Sequence, residues 1–199
     1  STPQNWLYPP VGEENFPCRV FRGTAEGIFH EVATATGPAG FGLDYPGGSP
    51  WGVLAADYDD DGDVDLFYPC GGFNLDSVNS LQNNLGNGTF VPVGVIAGLT
   101  HEQPTFSATW FDYDRDGDLD LYVVNSVDNW ASEYQGNPNP DPTDRLYENN
   151  SIGSFVEVGA AAGVDLKSTG FSCAATDLDH NGWPDLVVSN FRQYNKVFY

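Results

Sequence analysis

Short β-prone segments recur along the chain, and each is bounded by turn residues. Runs such as DLYVVN (120–125) and FVEV (155–158) are rich in aromatic and β-branched residues, and the second alternates between two faces of a strand. Helical periodicity is nearly absent, and one turn over 159–163 is the only helical prediction. The pattern therefore predicts an all-β protein.

The same order of segments occurs three times. An aromatic residue begins a short run that ends in Asp, an acidic loop follows, and a second β-prone run leaves the loop. The three entering runs are WGVLAAD (51–57), FSATWFD (106–112) and FSCAATD (171–177). Further along, SLQNNLGNGTFVPVGVIAGL (80–99) matches RLYENNSIGSFVEVGAAAGV (145–164) without a gap. A period of about 60 residues with four strands in each repeat is typical of a β-propeller blade.

We therefore predict three four-stranded, propeller-type blades that are incomplete as a closed ring, since closed propellers have about four to eight blades. The chain fits a fragment of a longer propeller, a ring made from two or more chains, or an open array of repeats that could form a filament. The predicted divisions are a Pro-rich arm (1–18) and three repeats (19–80, 81–145 and 146–199), which contain acidic loops 57–65, 112–120 and 177–185.

Each acidic loop has the form DxDxDGxxD. Oxygen donors stand at positions 1, 3, 5 and 9, glycine at position 6 allows a sharp turn, and position 7 is expected to contribute a backbone carbonyl. Oxygen donors alone select a hard cation, and about six or seven flexible oxygens suit calcium better than magnesium. Three calcium sites are therefore predicted. Their ligands are Asp57, Asp59, Asp61, Asp63 and Asp65; Asp112, Asp114, Asp116, Asp118 and Asp120; and Asp177, Asp179, Asn181, Trp183 and Asp185.

An EF-hand is the main alternative for such a loop. Its bidentate Glu at position 12 is replaced here by Tyr68, Val123 and Val188, and strand-like segments stand where an EF-hand has helices. A solvated acidic turn would explain one copy of the loop. Three copies with the same donors and the same glycine favour metal binding.

The charge balance excludes some partners. The chain carries 28 Asp and Glu against 7 Lys and Arg, a formal net charge of −21. Such a surface repels the phosphates of nucleic acids and anionic membranes. No apolar run reaches the length of a membrane span, so we expect neither nucleic acid binding nor membrane insertion. The three cysteines lack the CxxC spacing of a zinc site.

The run FSATWFDYDRDGDLDLYVVNS (106–126), followed by RLYENNSIGSFVEVGAAAGV (145–164), resembles the FG-GAP/VCBS repeat, the calcium-binding blade also found in integrin α-subunit propellers. The resemblance covers about 19–199. It implies a calcium-stabilised β-propeller blade of an extracellular or cell-surface protein, with a role in adhesion, carbohydrate binding or surface structure. The third loop departs from the pattern at Asn181, Trp183 and Pro184.

No catalytic motif such as GxSxG, HExxH or a P-loop is present, so we do not expect an enzyme. The leading hypothesis is a non-catalytic extracellular calcium-binding repeat protein with a structural or adhesive role, which self-assembles with copies of itself or packs against further blades of a longer chain. The alternative is a lectin-like module that binds glycans through Trp130 and Tyr134, on the longest loop. Two sequons, at Asn87 and Asn149, are candidate glycosylation sites.

Overall fold

The computed structural model describes residues 19–34, 49–71, 79–99, 104–126, 143–191 and 193–199. The predicted arm (1–18) and the candidate glycan ligands Trp130 and Tyr134 lie outside these residues. Within the described ranges the chain forms short antiparallel strands and one helical turn. The strands are β1 (Arg19–Gly23), β2 (Phe29–Thr34), β3 (Ser49–Pro50), β4 (Leu54–Ala56), β5 (Asp65–Tyr68), β6 (Cys70–Gly71), β7 (Ser80–Asn84), β8 (Phe90–Pro92), β9 (Thr105–Phe111), β10 (Asp120–Asn125), β11 (Arg145–Asn149), β12 (Phe155–Glu157), β13 (Gly170–Thr176), β14 (Asp185–Asn190) and β15 (Lys196–Phe198), and the helix is α1 (Gly159–Ala162).

Three sheets carry the acidic loops. The first sheet has the order β4-β5-β7-β8 and the second has the order β9-β10-β11-β12, so each is an antiparallel meander of four strands in chain order. The third sheet, β13-β14-β15, has three strands. Two further pairs, β1-β2 and β3-β6, form separate two-stranded sheets. The all-β prediction is confirmed.

The predicted strand order agrees with the first two sheets, in which a strand enters the acidic loop, a strand leaves it, and two more follow. The third sheet has three strands among the described residues, where four were predicted. The sheets of the described residues do not close into a ring, as the sequence predicted. The predicted divisions at 80/81 and 145/146 fall after the first residue of β7 and of β11, so the second and third predicted repeats each begin in the third strand of a sheet.

The second sheet lies between the other two and is covered on both faces, and for this reason every residue of β10 is buried. Leu121 and Val123 pack with side chains of the first sheet, whereas Tyr122 and Val124 pack with those of the third. The partner side chains include Phe67 and Leu81 on one side and Leu186 and Val188 on the other. A continuous apolar run in β10 thus fits a strand with two buried faces.

Aromatic rings join the first and second sheets. The ring of Tyr58, from the first acidic loop, stacks on Trp110 of β9 and Phe155 of β12, with ring centroids 6.1 and 5.8 Å apart. Buried aromatic pairs of this kind contribute about 0.5–1.5 kcal/mol beyond the area that they bury. The first acidic loop is therefore fixed against the neighbouring sheet as well as its own.

The aromatic residues that begin the three entering runs form a row. Trp51 stacks on Phe106 at 5.0 Å, and Phe106 contacts Phe171 at 5.8 Å. Their contact shows that the three runs occupy equivalent places in adjacent sheets, as the sequence alignment predicted. Among the described residues, no helix is long and apolar enough to cross a membrane.

Candidate metal centres

Each acidic loop connects the first two strands of its sheet. The loops join β4 to β5, β9 to β10 and β13 to β14, and the position-9 aspartate pairs with the last residue of the entering strand. Strand pairing therefore closes each loop at its base and brings positions 1 and 9 together. These pairs are Ala56 with Asp65, Phe111 with Asp120 and Thr176 with Asp185.

The turn inside each loop depends on two residues with positive φ. Position 6 is glycine, with φ of 92° at Gly62, 104° at Gly117 and 88° at Gly182. Position 4 also has positive φ, although it is Asp60, Arg115 or His180 in the three loops. All three of these position-4 residues are exposed.

The first and fifth positions stabilise the turn through hydrogen bonds with the backbone. The position-1 carboxylate accepts the N–H of the position-6 glycine at 2.9–3.2 Å in every loop. The position-5 side chain accepts the N–H of position 7 at 2.7–3.0 Å. The donor–acceptor pairs are Gly62–Asp57, Gly117–Asp112 and Gly182–Asp177 for the first bond, and Asp63–Asp61, Asp118–Asp116 and Trp183–Asn181 for the second.

The position-9 aspartates are the most buried carboxylates of the loops, with 1% of Asp65 and Asp120 and none of Asp185 exposed. In every loop the Oδ2 atom accepts the N–H of position 2, at 3.4, 2.9 and 2.7 Å in chain order. Burial raises the pKa of Asp65 and of Asp120 to about 6, although backbone N–H donors partly oppose the shift. A buried carboxylate with a raised pKa gains most from a nearby cation.

Three carboxylate groups come together in each loop, with one ligand atom of each within 4.8 Å of the others. Positions 1 and 3 take part in all three clusters, joined by position 5 in the first loop and by position 9 in the second and third. The clusters are Asp57, Asp59 and Asp61; Asp112, Asp114 and Asp120; and Asp177, Asp179 and Asp185. Asp65, Asp116 and Asn181 lie in the loops but outside these clusters, and the carbonyls of Asp63, Asp118 and Trp183 stay predicted ligands.

Several carboxylate oxygens in the loops are buried and accept no hydrogen bond from any described residue. They are Asp57 Oδ1, Asp59 Oδ1, Asp112 Oδ1 and Asp185 Oδ1. Burial, and then the neighbouring Asp61, raise the pKa of Asp59, and burial is also the main cause that raises the pKa of Asp114. Oxygen donors that are buried, close together and without proton donors fit a hard divalent cation such as calcium.

Sequence reasoning missed a set of residues that holds the loops from outside. Asn83 donates from Nδ2 to Asp59 Oδ2 at 2.8 Å, and the backbone N–H groups of Asn84 and Asn149 donate to the Oδ1 atoms of Asp65 and Asp120 at 2.7 and 2.9 Å. Asn84 and Asn149 are equivalent in the gapless alignment of 80–99 with 145–164. The alignment shows asparagine at both positions, but it does not indicate that the third strand of each sheet supports the acidic loop.

The two candidate glycosylation sites differ in their surroundings. Asn87 is exposed in the loop between β7 and β8, where its Oδ1 accepts hydrogen bonds from Thr89. Asn149 is only 2% exposed, and its Nδ2 donates to the carbonyls of Tyr58 and Leu119. Because an N-linked glycan is attached at Nδ2, the folded structure favours Asn87 over Asn149 as a glycosylation site.

The third loop differs from the others where its sequence departs from the pattern. Trp183, at position 7, lies under the guanidinium of Arg115 from the second loop, 5.1 Å from the ring centroid. A cation over an aromatic ring contributes about 0.5–1 kcal/mol at an exposed site. The contact brings position 4 of the second loop against position 7 of the third.

Comparison with known proteins supports the resemblance found in the sequence. Residues 71–123 match the FG-GAP-like repeat. The matched FG-GAP-like stretch contains β7 and β8, the strand β9 and the whole second acidic loop. A similar relative is cartilage acidic protein 1 of Xenopus tropicalis, which is 28% identical over 180 residues. The alignment covers 89% of this chain and 25% of the relative, so the chain spans about a quarter of the length of that protein.

Proposed function

We propose that the chain is a non-catalytic, extracellular repeat module that calcium stabilises and that serves a structural or adhesive role. The observation that carries this proposal is the threefold recurrence of a cluster of carboxylate oxygens, each in the connecting loop of an equivalent β-hairpin. Three calcium ions would bind in the loops 57–65, 112–120 and 177–185. In each, a cation would offset the repulsion among carboxylates that the fold holds together.

Holding the loop carboxylates close together costs free energy, and a bound metal ion would offset that cost. Two carboxylates at about 4 Å repel by roughly 1 kcal/mol in water and by more where solvent is partly excluded. Each cluster places three carboxylate groups within 4.8 Å, and buried members such as Asp120 lose hydration as well. Bound calcium would supply the missing positive charge and would order the loop.

A structural role is favoured over catalysis because the loop carboxylates already bond to the backbone of the turn. The position-1 and position-9 aspartates accept backbone N–H donors that define the turn, and the burial of the position-9 carboxylates leaves little access for a substrate. The similarity to the FG-GAP-like repeat and to a protein named for cartilage supports an extracellular setting.

Calcium titration with thermal unfolding tests the proposal. A site loaded at a hundred times its dissociation constant stabilises the folded chain by about 2.7 kcal/mol, so calcium should raise Tm and excess EGTA should lower it. Replacing Asp112→Asn and Asp114→Asn together should remove the contribution of the second loop. Asp60→Asn is the matched control, because it also removes an acidic charge from a loop but at exposed position 4. An identical Tm in calcium and in EGTA would refute the proposal.

Self-association is a further part of the proposed role. Val53, on the outer side of the first sheet, is 57% exposed, whereas the equivalent Ala108 of the second sheet is buried against its neighbour. A further repeat of the same kind, supplied by a second copy of the chain, would cover this face. Light scattering after gel filtration should then give a mass above that of one chain, and Val53→Asp should reduce it. A single-chain mass at high concentration would exclude self-association.

A further inference from the structure

Asn149 holds the second acidic loop at two points. Its backbone N–H donates to Asp120 Oδ1 at 2.9 Å, and its side-chain Nδ2 donates to the carbonyl of Leu119 at 3.1 Å. These groups belong to positions 9 and 8 of the loop. The position of Asn149 is therefore fixed by the part of the second loop that leads into β10.

The same side chain also reaches the first acidic loop. Asn149 Nδ2 donates to the carbonyl of Tyr58 at 2.7 Å, across 91 positions of sequence. Tyr58 is position 2 of the first loop, between the cluster members Asp57 and Asp59. One buried amide thus bonds to the backbone of both loops.

The hairpin that follows Asn149 extends this connection. Gly153 lies so close to the first loop that an added Cβ would be 3.2 Å from the Cβ of Asp59 and from the ring of Tyr58. On the other side, the hydroxyl of Ser151 donates to Asp118 Oδ2 of the second loop. The hairpin 149–154 therefore lies between the two loops and contacts both.

We infer that Asn149 couples the first two metal sites, so that an ion in the second loop strengthens binding in the first, and the reverse. This inference rests on the proposed calcium function. An ion in the second loop would order Leu119 and Asp120, which orient Asn149, and the oriented amide would hold Tyr58 O in its bound position. The first ion then meets a loop that is already ordered, and linkage requires the effect to be reciprocal.

Asn84 is a matched control within the same chain. It is equivalent to Asn149, and it makes the same contacts with its own loop, through its backbone N–H to Asp65 Oδ1 and through Nδ2 to the carbonyl of Val64 at 3.0 Å. The described residues give Asn84 no hydrogen bond to a second acidic loop. Replacing Asn84 therefore perturbs one loop without breaking a connection between two.

The experiment measures calcium binding in the first loop with and without a working second loop. A two-loop protein carries Asp177→Asn and Asp179→Asn, and a one-loop protein carries Asp112→Asn and Asp114→Asn in addition. The amide signal of Gly62, which donates to Asp57 Oδ2, reports binding in the first loop by NMR. The ratio of the two dissociation constants gives the coupling. We expect the first loop to bind calcium roughly fivefold more tightly, or better, in the two-loop protein.

Asn149→Ala should bring this ratio to about 1, whereas Asn84→Ala should weaken the first loop in both proteins and leave the ratio unchanged. Equal affinities in the two proteins with Asn149 intact would overturn the inference, whether or not the Asn149→Ala chain folds. A ratio that survives Asn149→Ala would overturn it as well. Both results leave the proposed function in place, whereas a Gly62 signal that calcium does not move in either protein would contradict both.

Discussion

Asp144 is a carboxyl group that the fold buries completely, away from the acidic loops. Its Oδ1 accepts the N–H of Asn125 at 2.9 Å, and its Oδ2 lies 3.1 Å from the hydroxyl of Tyr122. That hydroxyl is also 3.0 Å from the carbonyl of Val164. The proton of the Tyr122 hydroxyl is shared between Asp144 Oδ2 and the carbonyl of Val164, so it offsets only part of the cost of burying an ionised carboxylate. Burial accordingly raises the pKa of Asp144 to about 7.

Asp144→Asn should therefore stabilise the chain at pH 8 and change little at pH 4. The pKa of Asp144 rises from 3.8 to about 7 on folding, so the folded state binds this proton more tightly. The stability that the group contributes is complete below about pH 4 and is lost as the pH rises through about 7. The gain at pH 8 is expected to reach up to about 4 kcal/mol, measured by urea unfolding at the two pH values.

The first sheet provides the comparison for this change. Asn79 occupies the equivalent position, accepts the N–H of Cys70 at 2.8 Å and donates to Thr105 Oγ1 at 2.9 Å. An asparagine is thus already accommodated at the equivalent buried position of the first sheet. Other carboxylates also titrate over this pH range. The informative quantity is therefore the difference in the free energy of unfolding between the parent chain and the variant. Parallel stability profiles from pH 4 to pH 8 would refute the assignment.

Asn87 is the sequon that we expect to carry a glycan when the chain is secreted from a eukaryotic cell. It is exposed, whereas the side chain of Asn149 is buried and bonded to two carbonyls. Mass spectrometry should find Asn87 modified and Asn149 unmodified. Asn87→Gln should remove the glycan with little effect on Tm, while Asn149→Gln should lower Tm and leave the glycan content unchanged. A glycan on Asn149 of the folded protein would contradict the buried position.

At the scale of the element, the loop hairpin depends on a glycine whose backbone conformation other residues rarely adopt. Gly117 has φ of 104°, and a Cβ added there would meet no atom within 4 Å, so its replacement costs backbone strain alone. Gly117→Ala should destabilise the chain by about 1–3 kcal/mol and should also weaken calcium binding in the second loop, because the strained turn positions the ligands.

Gly163→Ala is the matched control for that change. Gly163 ends α1 with φ of 74° and likewise has no atom within 4 Å of an added Cβ, but it lies outside the acidic loops. Its replacement should cost a similar free energy of unfolding, as measured by denaturant titration, and should leave calcium affinity unchanged. Equal loss of calcium affinity in both variants would mean that Gly117 acts through global stability alone.

The loop hairpins were predictable because their chemistry is local. Asp112, Gly117 and Asp120 are close in sequence, and alternating donors with a central glycine define the turn. Support from outside the loop was not predictable in the same way. The bond from Asn149 to Tyr58 joins residues 91 positions apart, and it depends on how two sheets pack rather than on any spacing. For the same reason the burial of the Asn149 sequon could not be read from its motif.

At the scale of the molecule, the all-β architecture was predictable, and the strand content of the individual sheets only partly so. Trp51, Phe106 and Phe171 mark the three entering strands in the sequence, and their rings form one row in the structure. The third sheet is shorter than the pattern suggested, because β15 pairs with β14 and no described strand follows it.

The three sheets should unfold as one cooperative unit, because the second sheet shares a buried face with each neighbour. Neighbouring repeats stabilise one another through such interfaces, and a strong interface removes partly folded states.

Phe155 tests this directly, since it is 6% exposed and contacts both Tyr58 and Trp110. Phe155→Ala should lower the stability by about 3–5 kcal/mol within a single transition. Phe171→Ala, which removes a ring that is 58% exposed, should cost much less. Circular dichroism and tryptophan fluorescence should follow the same unfolding curve in both variants, and separate transitions for the two signals would show that the sheets fold independently.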